Sequence, residues 1–152
     1  MRLTAFSDYT VRTLIYLALR PRVLCTIDEI ACSYGISVSH LTKVVHQAAQ
    51  AGEVQTVRGQ GGGLRLAQPP EVIKIGAVLR RTEPDWNIVP CFGSGGACPI
   101  QPACVLQSAL GNALAAFMAV LDGVTLADLI RPRHRLLDLL RIEQTPEERV
   151  VQ

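Results

Sequence analysis

Two short helical segments separated by a glycine, with a glycine-rich hairpin directly after them, constrain the fold of this chain most strongly. Thr26-Ile-Asp-Glu29 forms a capping-box pattern, in which Thr and Glu satisfy each other's backbone N–H groups at the start of a helix. Gly35 ends that helix, and Ser37 caps a second one that closes at Gly52. Two helices joined by a tight, glycine-containing turn predict a helix-turn-helix, whose second helix can enter the major groove of DNA.

The segment after this second helix predicts a wing. The β-prone runs Val54–Arg58 and Leu64–Leu66 flank the tip Gly59–Gly63, and Arg58 and Arg65 lie beside it. Glycine allows the backbone to lie close to a phosphate or within a narrow groove. A nucleotide-binding loop is the alternative, but the Lys-Ser/Thr pair of a P-loop is absent and no βαβ unit surrounds the segment. The fold class expected is mainly α, with a winged helix-turn-helix and a small β-hairpin wing.

The outward face of the second helix and the wing carry polar and basic side chains suited to DNA. The candidate DNA-binding residues are Ser37, Ser39, His40, Lys43, Gln47, Arg58, Gln60 and Arg65. Of these, His40, Lys43 and Gln47 are candidates to read bases, and the two serines lie nearer the DNA backbone. Residues 1–81 contain 10 Lys+Arg and 5 Asp+Glu, whereas residues 82–152 contain 5 and 8. A basic first half suits a polyanionic partner, although a solvated polar face would look similar.

Three further helices surround this unit. Ser7 or Asp8 is the expected cap of a first helix, and a short amphipathic helix is expected around Val72–Arg80. A long helix is predicted from Pro102 or Ala103 to Leu121, with apolar residues at the three- and four-residue spacing of a coiled-coil seam: Leu106, Leu110, Ala113, Leu114, Phe117 and Leu121. Its apolar surface exceeds what one small domain can cover, which predicts a dimer interface.

The expected organisation has four parts. Residues 1–82 form the DNA-binding domain and 83–104 form a loop. Residues 105–130 form the dimerisation helix and a short closing helix capped by Thr125, and 131–152 form a C-terminal tail with one loose helix. Apolar residues make up 49% of the chain, but no uninterrupted apolar run reaches the roughly 18 residues of a membrane span. No signal-peptide pattern is present, so we expect a cytoplasmic protein without a membrane partner.

The loop from residue 91 to residue 104 contains three of the five cysteines, Cys91, Cys98 and Cys104, among glycines and prolines. Three thiolates on such a loop suit a soft metal or an iron–sulfur cluster. The C-x6-C-x5-C spacing lacks the paired C-x2-C knuckles of structural zinc, and unliganded thiols are the other alternative. Cys25 and Cys32 are interpreted as small buried apolar residues.

Together these features resemble the Rrf-type family of bacterial winged-helix regulators. The resemblance covers the chain from Met1 to about Ile130. It rests on MRLTAFSDYTVRTL at the start, VRGQGGGLRLA in the wing, and the three-cysteine loop that leads into the long helix. It implies a homodimer in which the long helices cross and each cysteine loop lies near the partner's DNA-binding domain.

The resemblance also implies the ligands of an iron–sulfur cluster. In one branch of the family a histidine three residues after the last cysteine completes the set, but Gln107 is found there in this chain. In the nitric-oxide-sensing branch an aspartate at the start of the first helix, contributed by the other subunit, is the fourth ligand, and Asp8 matches it. The implied ligands are Cys91, Cys98, Cys104 and Asp8, around a 4Fe-4S cluster or alternatively a 2Fe-2S cluster. From the residues alone, Asp8 is a helix cap worth about 1 kcal/mol.

The function expected from this resemblance is that of a homodimeric transcriptional repressor that binds a palindromic operator in double-stranded DNA. Nitric oxide, reacting with the cluster, is the expected signal for release. A regulator that senses iron–sulfur supply or redox state with the same loop is one alternative, and a cluster-free sensor of a metabolite is another. An iron–sulfur electron carrier or enzyme is a third, but the sequence offers no nucleophile–base pair and no nucleotide fingerprint. No enzymatic activity is expected.

Overall fold

A computed structural model describes residues 2–93 and 98–143 of the chain. Helix α1 spans Ala5–Leu19, and its N-cap is Thr4, whose side chain accepts a hydrogen bond from the Ser7 N–H. The expectation that Ser7 or Asp8 caps this helix is therefore wrong. Ser7 is completely buried one turn inside the helix, where its hydroxyl donates to Thr82 Oγ1 at 2.8 Å. Bonds from Thr4 and Ser7 to Glu83 and Thr82 also fasten the start of α1 to the end of the segment 75–83.

The helix-turn-helix has the predicted boundaries. Helix α2 spans Ile27–Tyr34 and begins with the full capping box of Thr26 and Glu29. Gly35 ends it in the left-handed region, at φ 63°, where glycine has no steric penalty. Ser37 then caps α3, Val38–Gln50, by accepting from the His40 N–H. The buried side of α3 consists of four apolar residues that pack into the domain core: Leu41, Val44, Val45 and Ala48.

The wing is a two-stranded antiparallel hairpin. Strand β1, Val54–Val57, pairs with β2, Gly63–Leu66, so that Gln55 lies opposite Arg65. At the tip, a Cβ on Gly62 would lie 2.3 Å from the Val57 carbonyl oxygen, closer than real Cβ contacts allow. The tight turn thus requires glycine there. Cys25 forms an isolated bridge to Leu64, which fastens the wing to the helical core.

Among the described residues, four α-helices follow the wing: α4 (Ile75–Thr82), α5 (Val105–Gly123), α6 (Leu126–Leu129) and α7 (Arg133–Leu139). The expected start of the long helix at Pro102 or Ala103 is wrong by a few residues, because Gln101–Ala103 form a 3-10 turn and Cys104 has extended backbone. Helix α6 begins at the predicted cap, Thr125.

Backbone pairing joins the two halves of the chain. The Ile75 N–H donates to the Val124 carbonyl at 3.0 Å, and the Leu126 N–H donates to the Ile73 carbonyl at 2.9 Å. The Arg80 guanidinium also makes a two-point contact with the Asp122 carboxylate. Helices α4 and α5 are therefore held together by main-chain and side-chain bonds at one end of α5.

Helix α7 packs on the winged-helix core. Leu137 and Ile142 are buried in the same apolar cluster as α1, and the Arg133 guanidinium donates to the Leu19 carbonyl at 2.6 Å. A cation at the C-terminal end of α1 also complements the helix dipole. The predicted tail beyond residue 143 lies outside the described residues. Among those described, the molecule is mainly helical with one hairpin, as predicted.

Candidate DNA-binding surface and cysteine loop

The outer face of α3 carries every predicted residue of the recognition helix in an exposed position. Ser37, Ser39, His40, Lys43 and Gln47 all lie on the side opposite the buried apolar residues. The Ser37 hydroxyl lies 3.3 Å from the Ser39 hydroxyl and caps the helix, so these two side chains mark its N-terminal end. The structure therefore presents a continuous polar face to solvent.

Two of the other exposed residues of this helix, His46 and Gln50, were not among the predicted candidates. His46 lies three positions after Lys43, and Gln50 lies three positions after Gln47. Residues three apart on a helix are neighbours on its surface, so helical spacing alone could have identified both. Thr42 is exposed too, but its hydroxyl donates to the Val38 carbonyl at 2.8 Å within the helix.

The wing presents its predicted side chains to solvent. Arg58, Gln60 and Arg65 are all exposed. The Arg65 Nε donates to the Gln55 side-chain oxygen at 2.9 Å, across the register that pairs these two residues. Gln55 was not predicted, although a hairpin register would have placed it beside Arg65. Because this bond restrains the guanidinium, Arg65 is partly preordered for an anionic partner.

The exposed side of α1 contacts both helices of the helix-turn-helix. The Tyr9 ring lies 6.2 Å from the His40 ring of α3, centroid to centroid. The Arg12 guanidinium lies 5.7 Å from the Tyr34 ring of α2 and also pairs with Asp8 at 2.8 Å. Burial raises the pKa of the Tyr34 phenol to about 12, so this ring stays neutral at physiological pH. The carboxylate of Asp8 thus belongs to a network that reaches the DNA-binding helices.

The cysteine loop begins next to α1. The Thr4 N–H and hydroxyl both donate to one Glu83 carboxylate oxygen, at 2.8 and 3.1 Å. Together with the Ser7–Thr82 bond, these contacts join the first turn of α1 to the residues that open the loop. Asp8 and the start of the loop are therefore fixed to the same short stretch of helix.

The three loop cysteines are free thiols with different exposure. Cys91 lies in a 3-10 turn and Cys104 directly before α5, both half-buried, whereas Cys98 is exposed. Gln107 donates from its side-chain nitrogen to the Cys91 carbonyl at 3.4 Å. Within residues 2–93 and 98–143, no group of three or more His, Cys, Asp or Glu side chains is assembled for a metal ion. The described part of a single protomer therefore gathers neither the three cysteines into one group nor Asp8 with them.

The other two cysteines differ from each other. Cys25 is completely buried, as predicted for a small apolar residue. Cys32 is exposed, and the prediction that it is buried is wrong. The buried side of the short helix α2 is formed by Ile30 and Ala31, and this leaves Cys32 on the solvent side.

Comparison with known proteins identifies the family. Residues 3–132 match the Rrf2 family, described as an iron-dependent transcriptional regulator. The chain belongs to the Rrf2 family. The NsrR transcriptional regulator of Bacillus subtilis is 47% identical to it over 146 residues, covering 95% of this chain and all of that protein. The NsrR regulator of Bacillus licheniformis is 44% identical, covering 92% of this chain and 99% of that protein.

Solved structures of Rrf2-type regulators have the same fold. IscR of T. potens superposes with a TM-score of 0.71 at 25% identity, covering 95% of this chain and 94% of that one. The oxidized form of CymR from Staphylococcus aureus superposes with a TM-score of 0.69 at 26% identity, covering 86% and 97%. These matches confirm the winged-helix fold, the resemblance read from the sequence, and the expectation of a DNA-binding regulator that is not an enzyme.

The loop thiols of this Rrf2 protein fit the iron dependence of its family. Soft thiolates are the protein ligands of iron–sulfur clusters, and Cys91, Cys98 and Cys104 are free to serve as such. Three thiolates are one fewer than the four cysteine ligands that usually hold such clusters. Family membership implies regulation by an iron–sulfur cluster, and the chemistry of these donors agrees with it.

Helix α5 of this Rrf2 protein leaves much of its apolar surface uncovered. Val105, Leu106 and Val120 are 81%, 65% and 68% exposed, and Met118 is the buried residue of the helix. Part of the predicted seam faces the helix's own protomer, since Phe117 packs on Trp86 and Leu121 packs on the core cluster. The length of α5 and its mean hydropathy of 1.4 would also allow it to cross a membrane. A single helix that meets these two criteria is weak evidence for a membrane span.

Proposed function

We propose that this Rrf2 protein is a homodimeric transcriptional repressor whose operator affinity is set by an iron–sulfur cluster that reacts with nitric oxide. The observation that carries the proposal is the set of three free thiols on the segment that follows Glu83, a residue hydrogen-bonded to Thr4 at the start of α1. The similarity to NsrR regulators supports the same assignment over nearly the whole chain.

The proposed cluster ligands are Cys91, Cys98, Cys104 and, from the partner subunit, Asp8, around a 4Fe-4S cluster. The position of Asp8 supports this assignment, because its side chain is 44% exposed on α1 and can be reached from outside its own protomer. Arg12, which pairs with it, neutralises the carboxylate in the absence of iron. Within residues 2–93 and 98–143 of one protomer the three cysteines are not gathered either, so cluster binding would also have to bring Cys91, Cys98 and Cys104 together.

The proposed DNA contacts divide between α3 and the wing. His40, Lys43 and Gln47 read base edges in the major groove, while Ser37 and Ser39 bind the DNA backbone. Arg58, Gln60 and Arg65 of the wing follow the phosphates of the adjacent groove. In this division of the chain, residues 1–82 bind DNA, 83–104 hold the cluster, 105–130 form the dimer and 131–152 are the C-terminal segment.

The apolar face of α5 is the proposed dimer interface. A second copy of α5, crossing the first, would cover the exposed apolar residues and generate two-fold symmetry. Paired recognition helices of such dimers contact half-sites about 34 Å apart, which predicts a palindromic operator. In a cytoplasmic dimer, the partner's α5 covers the apolar face and no membrane is needed. The polar residues Gln107, Ser108 and Asn112 also interrupt the apolar composition of the helix.

The proposed switch uses the ligand that joins the subunits. The cluster would be held by Cys91, Cys98 and Cys104 and by the partner's Asp8, and it would supply iron atoms that nitric oxide can attack. Asp8, once released, returns to its ion pair with Arg12, and the loop loses its connection to the other subunit. A 100-fold loss of operator affinity requires about 2.7 kcal/mol of coupling, within the usual allosteric range.

An anaerobic titration tests this function. Protein purified without air is titrated with nitric oxide while the iron–sulfur absorption band and binding to an operator duplex, selected from random DNA, are measured on the same samples. We expect the band to bleach as the duplex is released. A band that survives, or DNA binding that ignores its loss, would contradict nitric-oxide regulation and favour a sensor of iron supply or of another ligand.

A further inference from the structure

Tyr9 of α1 and His40 of α3 form a contact that the DNA-binding proposal does not use. Their rings lie 6.2 Å apart with an angle of 34° between the ring planes, within the range of favourable aromatic pairs. Tyr9 is half-buried and packs against the core, whereas His40 is exposed on the polar face of α3. A fixed ring from a neighbouring helix therefore lies beside a surface imidazole.

This contact limits the orientations of the imidazole. A histidine on a solvent-facing helix samples several side-chain rotamers. A DNA complex that uses only one of them loses the side-chain conformational entropy of the others. The Tyr9 ring occupies one side of His40, and core packing holds Tyr9 in turn. His40 is thus partly preordered before DNA arrives, while Lys43 and Gln47 have no ring contact among the described residues.

We infer that Tyr9 is a positioning residue that orients His40 toward one base pair of each operator half-site. Tyr9 does not touch DNA in this arrangement and acts through the imidazole. The inference rests on the proposed role of His40 in reading bases. Tyr9 directly follows Asp8 on α1. The same turn of the helix therefore carries the proposed cluster ligand and the ring that orients His40.

Base discrimination distinguishes this role from a merely structural one. The cluster-loaded dimer is tested against the selected operator and duplexes with each single base-pair substitution. His40→Ala should lower discrimination about tenfold at one position of each half-site, as expected for a lost base contact. Tyr9→Leu should lower it at the same position by severalfold and leave the other positions near wild type. In the double variant the loss should equal that of His40→Ala alone.

Tyr9→Phe is the matched control, since it retains the ring and should keep wild-type discrimination. If Tyr9→Leu melts too early for the assay, Tyr9→Met replaces it, because methionine fills the volume without a ring. Uniform weakening on all duplexes, additive losses, or a His40→Ala variant with unchanged discrimination would each overturn the inference. A wild-type protein that binds the operator but ignores nitric oxide would contradict the proposed regulation and leave this inference intact.

Discussion

In the proposed assembly the Asp8 carboxylate has two alternative partners. One is the Arg12 guanidinium, with which it forms an ion pair, and the other is the iron of the cluster. Both side chains of this pair are 44% exposed, so the pair itself adds less than about 1 kcal/mol to stability. A ligand to iron is a much stronger constraint. The two roles can therefore be separated by measuring folding and cluster binding on the same variant.

We predict that Asp8→Ala lowers the fraction of chains that retain a cluster at least about tenfold, since even indirect supports of metal ligands have effects of this size. The melting temperature of the cluster-free variant should stay close to that of the cluster-free wild type, because a bound cluster would itself stabilise the fold. Iron content per chain and the iron–sulfur absorption band, after anaerobic reconstitution, provide the measurement.

Asp28→Ala is the control for this prediction, because it removes the same charge from an exposed position in the first turn of α2. It should retain the cluster. An Asp8→Ala protein that keeps both its cluster and its response to nitric oxide would show that Asp8 is not a ligand.

At single positions, the sequence was informative where the chemistry is local. Thr26, Glu29 and Ser37 were identified as caps because their bonds close within four residues. The Thr4 cap is equally local, since its side chain accepts from the Ser7 N–H, and it was missed because Ser7 and Asp8 are also residue types that cap helices. The partnership of Tyr9 and His40 was missed because 31 positions separate them, and no periodicity links the two.

Among the elements, the wing depends most on a single backbone position. A Cβ at Gly62 would lie 2.3 Å from the Val57 carbonyl oxygen and 2.9 Å from the Gly59 carbonyl oxygen. Both obstacles are backbone atoms that no side-chain rotation can remove. The tip can therefore accommodate a larger residue only by changing its shape.

We predict that Gly62→Ala lowers the free energy of unfolding by about 1 kcal/mol or more, because the native backbone is incompatible with a Cβ. Operator affinity should fall further than stability alone explains, since the displaced tip carries Gln60 and lies beside Arg58. Thermal melting and binding to the operator duplex, measured on the same preparation, check both effects.

Gly123→Ala is the comparison, because a Cβ there has no atom within 4 Å. It should be close to neutral in both assays. If Gly62→Ala matches it in stability and in DNA binding, the tip does not approach DNA in the manner proposed.

The order of elements could be derived from sequence almost completely, whereas the faces that they bury could not. The long helix was recognised from its spacing, but two of the six residues of its expected seam, Phe117 and Leu121, pack on their own protomer. Helical periodicity reports that a face is apolar. It does not show whether another part of the same chain or a second subunit covers that face, because this depends on how the helices pack in three dimensions.

For the whole molecule, we predict that Leu106→Glu converts the dimer to a monomer. Leu106 is 65% exposed on α5, and a carboxylate there would have to be desolvated in a helix-to-helix interface. Operator affinity should fall about 100-fold, because two half-sites are no longer bound together. Sedimentation velocity gives the assembly state, and DNA titration gives the affinity.

Leu139→Glu is the control, since Leu139 is 70% exposed but lies on α7, outside the proposed interface. It should remain dimeric and bind DNA like the wild type. If Leu106→Glu remained dimeric and Leu139→Glu became monomeric, the interface would instead involve helix α7.

The backbone pairing between residues 73–75 and 124–126 makes α5 a lever arm fixed to the DNA-binding unit. A helix of 19 residues is about 28 Å long, so a turn of about 5° between crossed arms shifts their far ends by about 2.5 Å. In the proposed dimer, operator spacing is then governed by the crossing angle of the two α5 helices, and base preference by α3. A relative adapted to a differently spaced palindrome should accordingly differ on the exposed side of α5 before it differs in the residues that read DNA.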